Sequence, residues 1–62
     1  MKVTIKINCE NSAFEEMGEG PEAARMLREL AGKLEQTSLA PGDTRNLRDM
    51  NGNICGVFKV TR

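Results

Sequence analysis

The side chains with chemistry to offer in this chain are few and scattered. Cys9 and Cys55 form no Cys-x-x-Cys pair, and with no histidine anywhere the two sulfurs lack the neighbours that a zinc site gathers at short spacing. A thiol acts as a nucleophile only when a nearby group lowers its pKa, and strand alternation directs Cys9 toward a buried face, so both cysteines read as inert thiols. The absence of histidine also removes the commonest base near neutral pH and every His-containing triad. Glu15 and Glu16 are adjacent and Glu29 lies on a solvated helix face, but none has a partner that would tune it for general acid/base work. Gly18 and Gly20 precede a helix start, the geometry of an anion site, yet no Lys-Ser/Thr pair follows and helix punctuation accounts for them. Asn51-Gly52-Asn53 reads as a turn. No catalytic, cofactor-binding or metal-ligating residue is assigned, and the chain is read as non-enzymatic.

Composition narrows the class further. The 62 residues are 39% hydrophobic and 29% charged, too apolar for a disordered tail, and suffice for a single domain spanning residues 1–62. A chain this short buries only about 60% of its unfolded surface, so a partner surface would count heavily in its stability. Nine cations balance nine carboxylates, which argues against the uncompensated positive charge that nonspecific nucleic-acid binding requires. The charge is unevenly spread: residues 10–22 hold five glutamates and no cation, while residues 44–62 set Arg45, Arg48, Lys59 and Arg62 against Asp49. A nucleic-acid-binding role for the basic C-terminal hairpin is therefore the alternative to protein binding. Met1-Lys2 is followed by no apolar leader segment and no run is long enough to cross a bilayer, so a cytoplasmic location is expected.

The elements that must position these groups follow from periodicity. Val3, Ile5, Ile7 and Cys9 alternate with Lys2, Thr4, Lys6 and Asn8, the pattern of a half-buried strand. Residues 10–20 keep neither period, and Phe14 and Met17 are expected to fold back over the core edge. From Pro21 the spacing of Ala23, Met26, Leu27, Leu30, Ala31 and Leu34 is helical, with Arg25, Glu29, Lys33 and Gln36 on the solvated side. Thr37, Ser38, Pro41 and Gly42 close the helix. Asn51-Gly52 is the signature of a two-residue type I′ hairpin, which sets Leu47 opposite Gly56 and Arg45 opposite Phe58, whereas a three-residue loop would shift the pairing. The expected fold is α+β: a strand, helix, strand, strand unit with one helix on a three-stranded mixed sheet in order 1-3-2. Alternation sends Cys55 and Val57 away from the helix beside Met50, with Arg48, Lys59 and Lys6 as a polar rim. These six residues are the candidate interaction surface, for a second copy or another protein. Cys9 and Cys55 are expected on opposite faces, poor geometry for a disulfide.

Length and element order resemble the small tautomerases of the 4-oxalocrotonate type, a resemblance that implies an oligomer acting through an N-terminal proline. This chain begins Met1-Lys2-Val3, so it carries over no active-site residue. Asn11 through Phe14, EAARMLRELAGKLE from Glu22 to Glu35 and LRDMNGNICG from Leu47 to Gly56 are similar to segments of short uncharacterised proteins of bacteria and their phages. That resemblance implies an accessory role, such as regulating or inhibiting a host protein by occupying one of its surfaces, with no cofactor.

Overall fold

Alternating side chains carry the chain into strand β1 (Lys2–Ile7), and the computed structural model, which describes residues 1–62, places it at one edge of a three-stranded sheet. Two helices follow, α1 (Ser12–Met17) and α2 (Glu19–Leu34), and then strands β2 (Thr44–Arg48) and β3 (Ile54–Thr61). The order across the sheet is β1-β3-β2, as the pattern of apolar residues predicts. The outer strands run parallel to each other, but β3 lies between them, so both hydrogen-bonded pairs are antiparallel and the sheet is antiparallel rather than mixed.

Helix α1 lies in the segment where neither period is visible. It is held by what surrounds it: Phe14 is 1% exposed and belongs to the core, while Met17 stays on the surface. Asn11, at its N-terminus, accepts the Phe14 N–H on its carbonyl, and its side chain is committed to Asp49 instead of capping the helix. Helix α2 starts two residues ahead of Pro21, so the proline sits in the first turn, where a missing N–H still removes no intrahelical bond. At its far end the Thr37 hydroxyl donates to the Lys33 carbonyl and the Thr37 N–H to Leu34, satisfying acceptors the helix leaves open.

The core is small. Phe14, Met26, Leu30, Leu47, Phe58 and Val60 form one buried cluster, with Ile7, Cys9, Leu34, Leu39 and Cys55 packed against it. Helix α2 covers the β3 and β2 side of the sheet, where Glu29 and Lys33 overhang Arg45 to Arg48 along a shallow cleft. Val3 and Ile5 share the sheet face of Val60 and Phe58, directly opposite them in the register, yet remain 44% and 40% exposed. The helix leaves this part of β1 bare.

The hairpin departs from a two-residue turn in an instructive way. Type I′ needs positive φ at both central residues, but only Gly52 has it, at 84°, and no residue other than glycine does. Asp49 captures the loop: its Oδ1 accepts the N–H groups of Asn51 and Asn53, its carbonyl accepts Gly52, and its own N–H donates to the Asn53 carbonyl. The loop is thus three residues, Met50 to Gly52, closed by Asp49 and Asn53 with glycine in the left-handed position. This shifts the register by one. A β-bulge then shifts it back: Arg48 pairs with Ile54 and Leu47 with Gly56, so Cys55 is the extra residue. Beyond the bulge the expected pairs, Leu47 with Gly56 and Arg45 with Phe58, are the ones formed.

Candidate functional site

Because side chains opposite one another in a ladder share a face, the bulge exchanges the roles of two neighbours. Ile54, paired with Arg48, joins the sheet face turned away from α2 and is 53% exposed. Cys55 turns inward, where its thiol meets the Met26 thioether at 3.9 Å and packs on the core. The expectation that Cys55 belongs to the open face is therefore corrected: simple alternation fails at the one residue the ladder skips. Cys9 packs against the same core cluster, so the two thiols are not on opposite faces either, and both are free. Burial pushes the Cys55 thiol above its ordinary range, with the charge of Asp49 adding to the effect, which is the opposite of an activated nucleophile.

Met50 lies outside both strands, in the hairpin loop, and is 53% exposed. Its N–H donates to Glu22 Oε2 at 2.8 Å, which ties the hairpin loop to the first turn of α2 at the end of the sheet. Glu22 is completely buried and also accepts Arg25 Nε at 2.6 Å and a second Arg25 nitrogen at 3.2 Å. Arg25 in turn reaches Glu29 and the Arg48 carbonyl. Beside this group lies Asp49, 4% exposed, holding the two loop amides and the Asn11 side chain at 3.0 Å. The Arg25 hydrogen bond holds the Glu22 carboxyl below its ordinary range, and the Met50 amide assists, against an opposing cost of burial. Burial alone would raise Asp49, but the donors from Asn53, Asn11 and Asn51 outweigh it and bring it down. Every buried side-chain nitrogen and oxygen in the protein has a partner, and this network fastens α1, α2 and the hairpin together. In the sequence Glu22 is only one of the five glutamates of residues 10–22. Arg25 three residues on was the available sign of a paired acid.

The remaining expected residues do converge. Lys6 pairs with Val57, Thr4 with Lys59, and Lys59 with Thr44, which puts Lys6, Val57 and Lys59 together on the open face, and Arg48, opposite Ile54, borders them with its guanidinium donating to the Gly52 carbonyl at 2.9 Å. Lys2, opposite Thr61, extends the row. This face carries four cations, Lys2, Lys6, Arg48 and Lys59, and no carboxylate, around half-buried Val57 and exposed Ile54. Ile54 and Lys2 were absent from the expected set, Ile54 because the bulge reverses its direction. The carboxylates lie elsewhere: residues 10–35 hold seven acids and three cations, and the rest of the chain six cations and two acids.

Fold and surface together define a small antiparallel α+β unit with one helix-covered and one cationic sheet face. The chain matches no protein-family model, no curated protein and no solved structure. No helix is long and apolar enough to cross a membrane.

Proposed function

We propose that this protein is a small non-enzymatic interaction module of the cytoplasm that lays its open sheet face on an acidic surface of a partner protein. The observation that carries the proposal is the composition of that face: Lys2, Lys6, Arg48 and Lys59 surround Val57 and Ile54 with no acid among them. Apolar side chains at the centre supply attraction on burial, and rim charges select orientation and speed encounter more than they add affinity. A host protein is the partner to seek, with regulation or inhibition by surface occupancy as the outcome. Two free cysteines suit a reducing compartment.

The test is a charge reversal that spares the core. Lys6 and Lys59 are exposed, so Lys6→Glu with Lys59→Glu should leave the circular dichroism unchanged and abolish recovery of the partner captured by the native chain from its own cells. Retention of that partner by the double variant and by Val57→Lys would overturn the proposal.

A second reading, an accessory protein that binds nucleic acid, is favoured by the same four cations on one sheet face. It lacks stacking platforms, because both phenylalanines are buried in the core and the chain has no tyrosine or tryptophan. Binding of random single-stranded or duplex DNA at low salt with a steep salt dependence would favour it over the protein partner.

A further inference from the structure

The side of the molecule that α2 leaves bare has the features of a contact with a second copy of the chain. Asn8 donates its N–H to the Cys55 carbonyl at 2.7 Å, which sets the phase of the ladder: Lys2, Thr4 and Lys6 direct their backbone groups toward β3, while Val3, Ile5 and Ile7 direct theirs to the free edge. The side chains of Val3 and Ile5, on the helix-covered face, are 44% and 40% exposed. Leu27 of α2 is also exposed, at 42%. Glu29 and Lys33 mark the flank of α2 that overhangs β2, and Leu27, in line with Ala23 and Ala31 at helical spacing, lies on the opposite flank. An open strand edge, two apolar side chains on its floor and a leucine on its wall thus occur together on the β1 side.

We propose that two copies pair edge to edge through β1, antiparallel about a twofold axis at Ile5, to give a continuous six-stranded sheet with both α2 helices on one side. In this register Ile5 faces Ile5 of the second copy and Val3 faces Ile7, so the N–H and C=O of all three edge residues find partners. Residues opposite one another share a face, so the apolar floors merge and the helices rise together on either side of them. Charge selects the register. Lysines on an edge ordinarily deter pairing, and a pairing centred on Thr4 would set Lys2 against Lys6 on both sides of the axis. Centred on Ile5, Lys6 meets Thr4 and Lys2 meets Asn8, and no like charges stand opposite. The contact uses the edge of β1 and leaves Val57 and its surroundings free, so it stands or falls separately from binding of an acidic partner.

Sedimentation and native mass spectrometry from micromolar to millimolar chain should show the mass rising from 6.8 kDa to twice that value. Over the same range, hydrogen exchange at the Val3, Ile5 and Ile7 amides should slow, while that of other exposed amides stays constant. Thr4→Lys places a lysine opposite Lys6 of the second copy twice and should weaken association about 2- to 30-fold, and Thr4→Glu should strengthen it by a similar factor. Thr4 is exposed on the open face but lies opposite Lys59 of its own chain, so thermal unfolding of the dilute monomer by circular dichroism separates any change within the sheet from the change in association. A 6.8 kDa species at millimolar concentration, association without slowed exchange at Val3, Ile5 and Ile7, or Thr4 variants that do not shift in opposite directions would each overturn the pairing.

Discussion

Gly56 lies on the central strand, opposite Ile7 on one side and Leu47 on the other, and replacing it with alanine measures how tightly the sheet is packed. A Cβ added there would lie 2.6 Å from the Lys6 carbonyl oxygen and 3.3 Å from both Ile7 Cγ1 and Leu47 Cβ. Carbon and carbonyl oxygen ordinarily approach to about 3.3 Å in a sheet, so the β1 backbone would have to retreat by roughly 0.7 Å. That movement stretches the ladder bonds around Lys6 and Val57, and the neighbours on the other side leave no compensating space. Overpacking of this kind costs about 1 to 3 kcal/mol, against which the stiffer unfolded chain of alanine returns about 0.4 to 1 kcal/mol. At the middle of these ranges the net loss is about 1.3 kcal/mol, a fall in Tm of roughly 5 to 10 °C for a domain of this size. Gly32→Ala is the internal control: its Cβ meets nothing within 4 Å and it lies in α2, so helix propensity should raise stability by about 0.5 to 1 kcal/mol. Thermal and urea unfolding followed by circular dichroism measure both. If Gly56→Ala matches or exceeds the native Tm while Gly32→Ala behaves as stated, the close approach of β1 to β3 is refuted.

Acid unfolding should be governed by Glu22 and Asp49. Both carboxyls titrate lower in the folded chain than their ordinary 4.5 and 3.8, so the unfolded state binds protons first; stability should be flat above about pH 6 and fall steadily as the pH drops through 4.5 and below, and Glu22→Gln should flatten that fall in a Tm-against-pH series. Phe14→Ala should cost about 3 to 5 kcal/mol and leave most of the chain unfolded at 25 °C, because a 1% exposed aromatic is removed from a six-residue cluster; a native-like urea midpoint would show α1 to be dispensable. Alkylation by iodoacetamide at pH 8 should be slower at Cys55 than at a free model thiol, since burial raises its pKa, and equal rates measured by mass spectrometry would contradict its inward direction.

How far the amino-acid pattern reaches is clear from the elements themselves. β1, α2 and the order of the sheet follow from periods of two and 3.6 that run long enough to be unambiguous, and the pairs of Leu47 with Gly56 and Arg45 with Phe58 follow from the hairpin signal. Helix α1 is too short for a period to appear: its six residues are fixed by Phe14 entering the core and by the bond from Asn11 to an aspartate far along the chain. The turn obeys Asp49 more than Asn51, because a buried carboxylate that accepts two loop amides outweighs the local preference for type I′. The bulge at Cys55 depends on Met26 receiving its thiol and on the three-residue loop it compensates, neither of which a strand pattern displays. That single unpaired residue keeps Arg48 on the face where alternation puts it, with Val57 and Lys59, while Cys55 leaves that face and Ile54 takes an unexpected place on it.

The separation of charge between residues 10–35 and the remainder of the chain gives this protein a property that its balance of nine cations and nine acids conceals. The two regions carry −4 and +4, and the sheet face away from α2 holds cations alone, so the molecule has a large permanent dipole moment at zero net charge. In a uniform electric field it would scarcely migrate, yet next to a charged wall of either sign it would turn and present the opposing pole. At pH 7 and low ionic strength it should be retarded on both sulfonate and quaternary-amine matrices, and released from both once the Debye length falls well below the size of the protein, about 3 Å at 1 M salt.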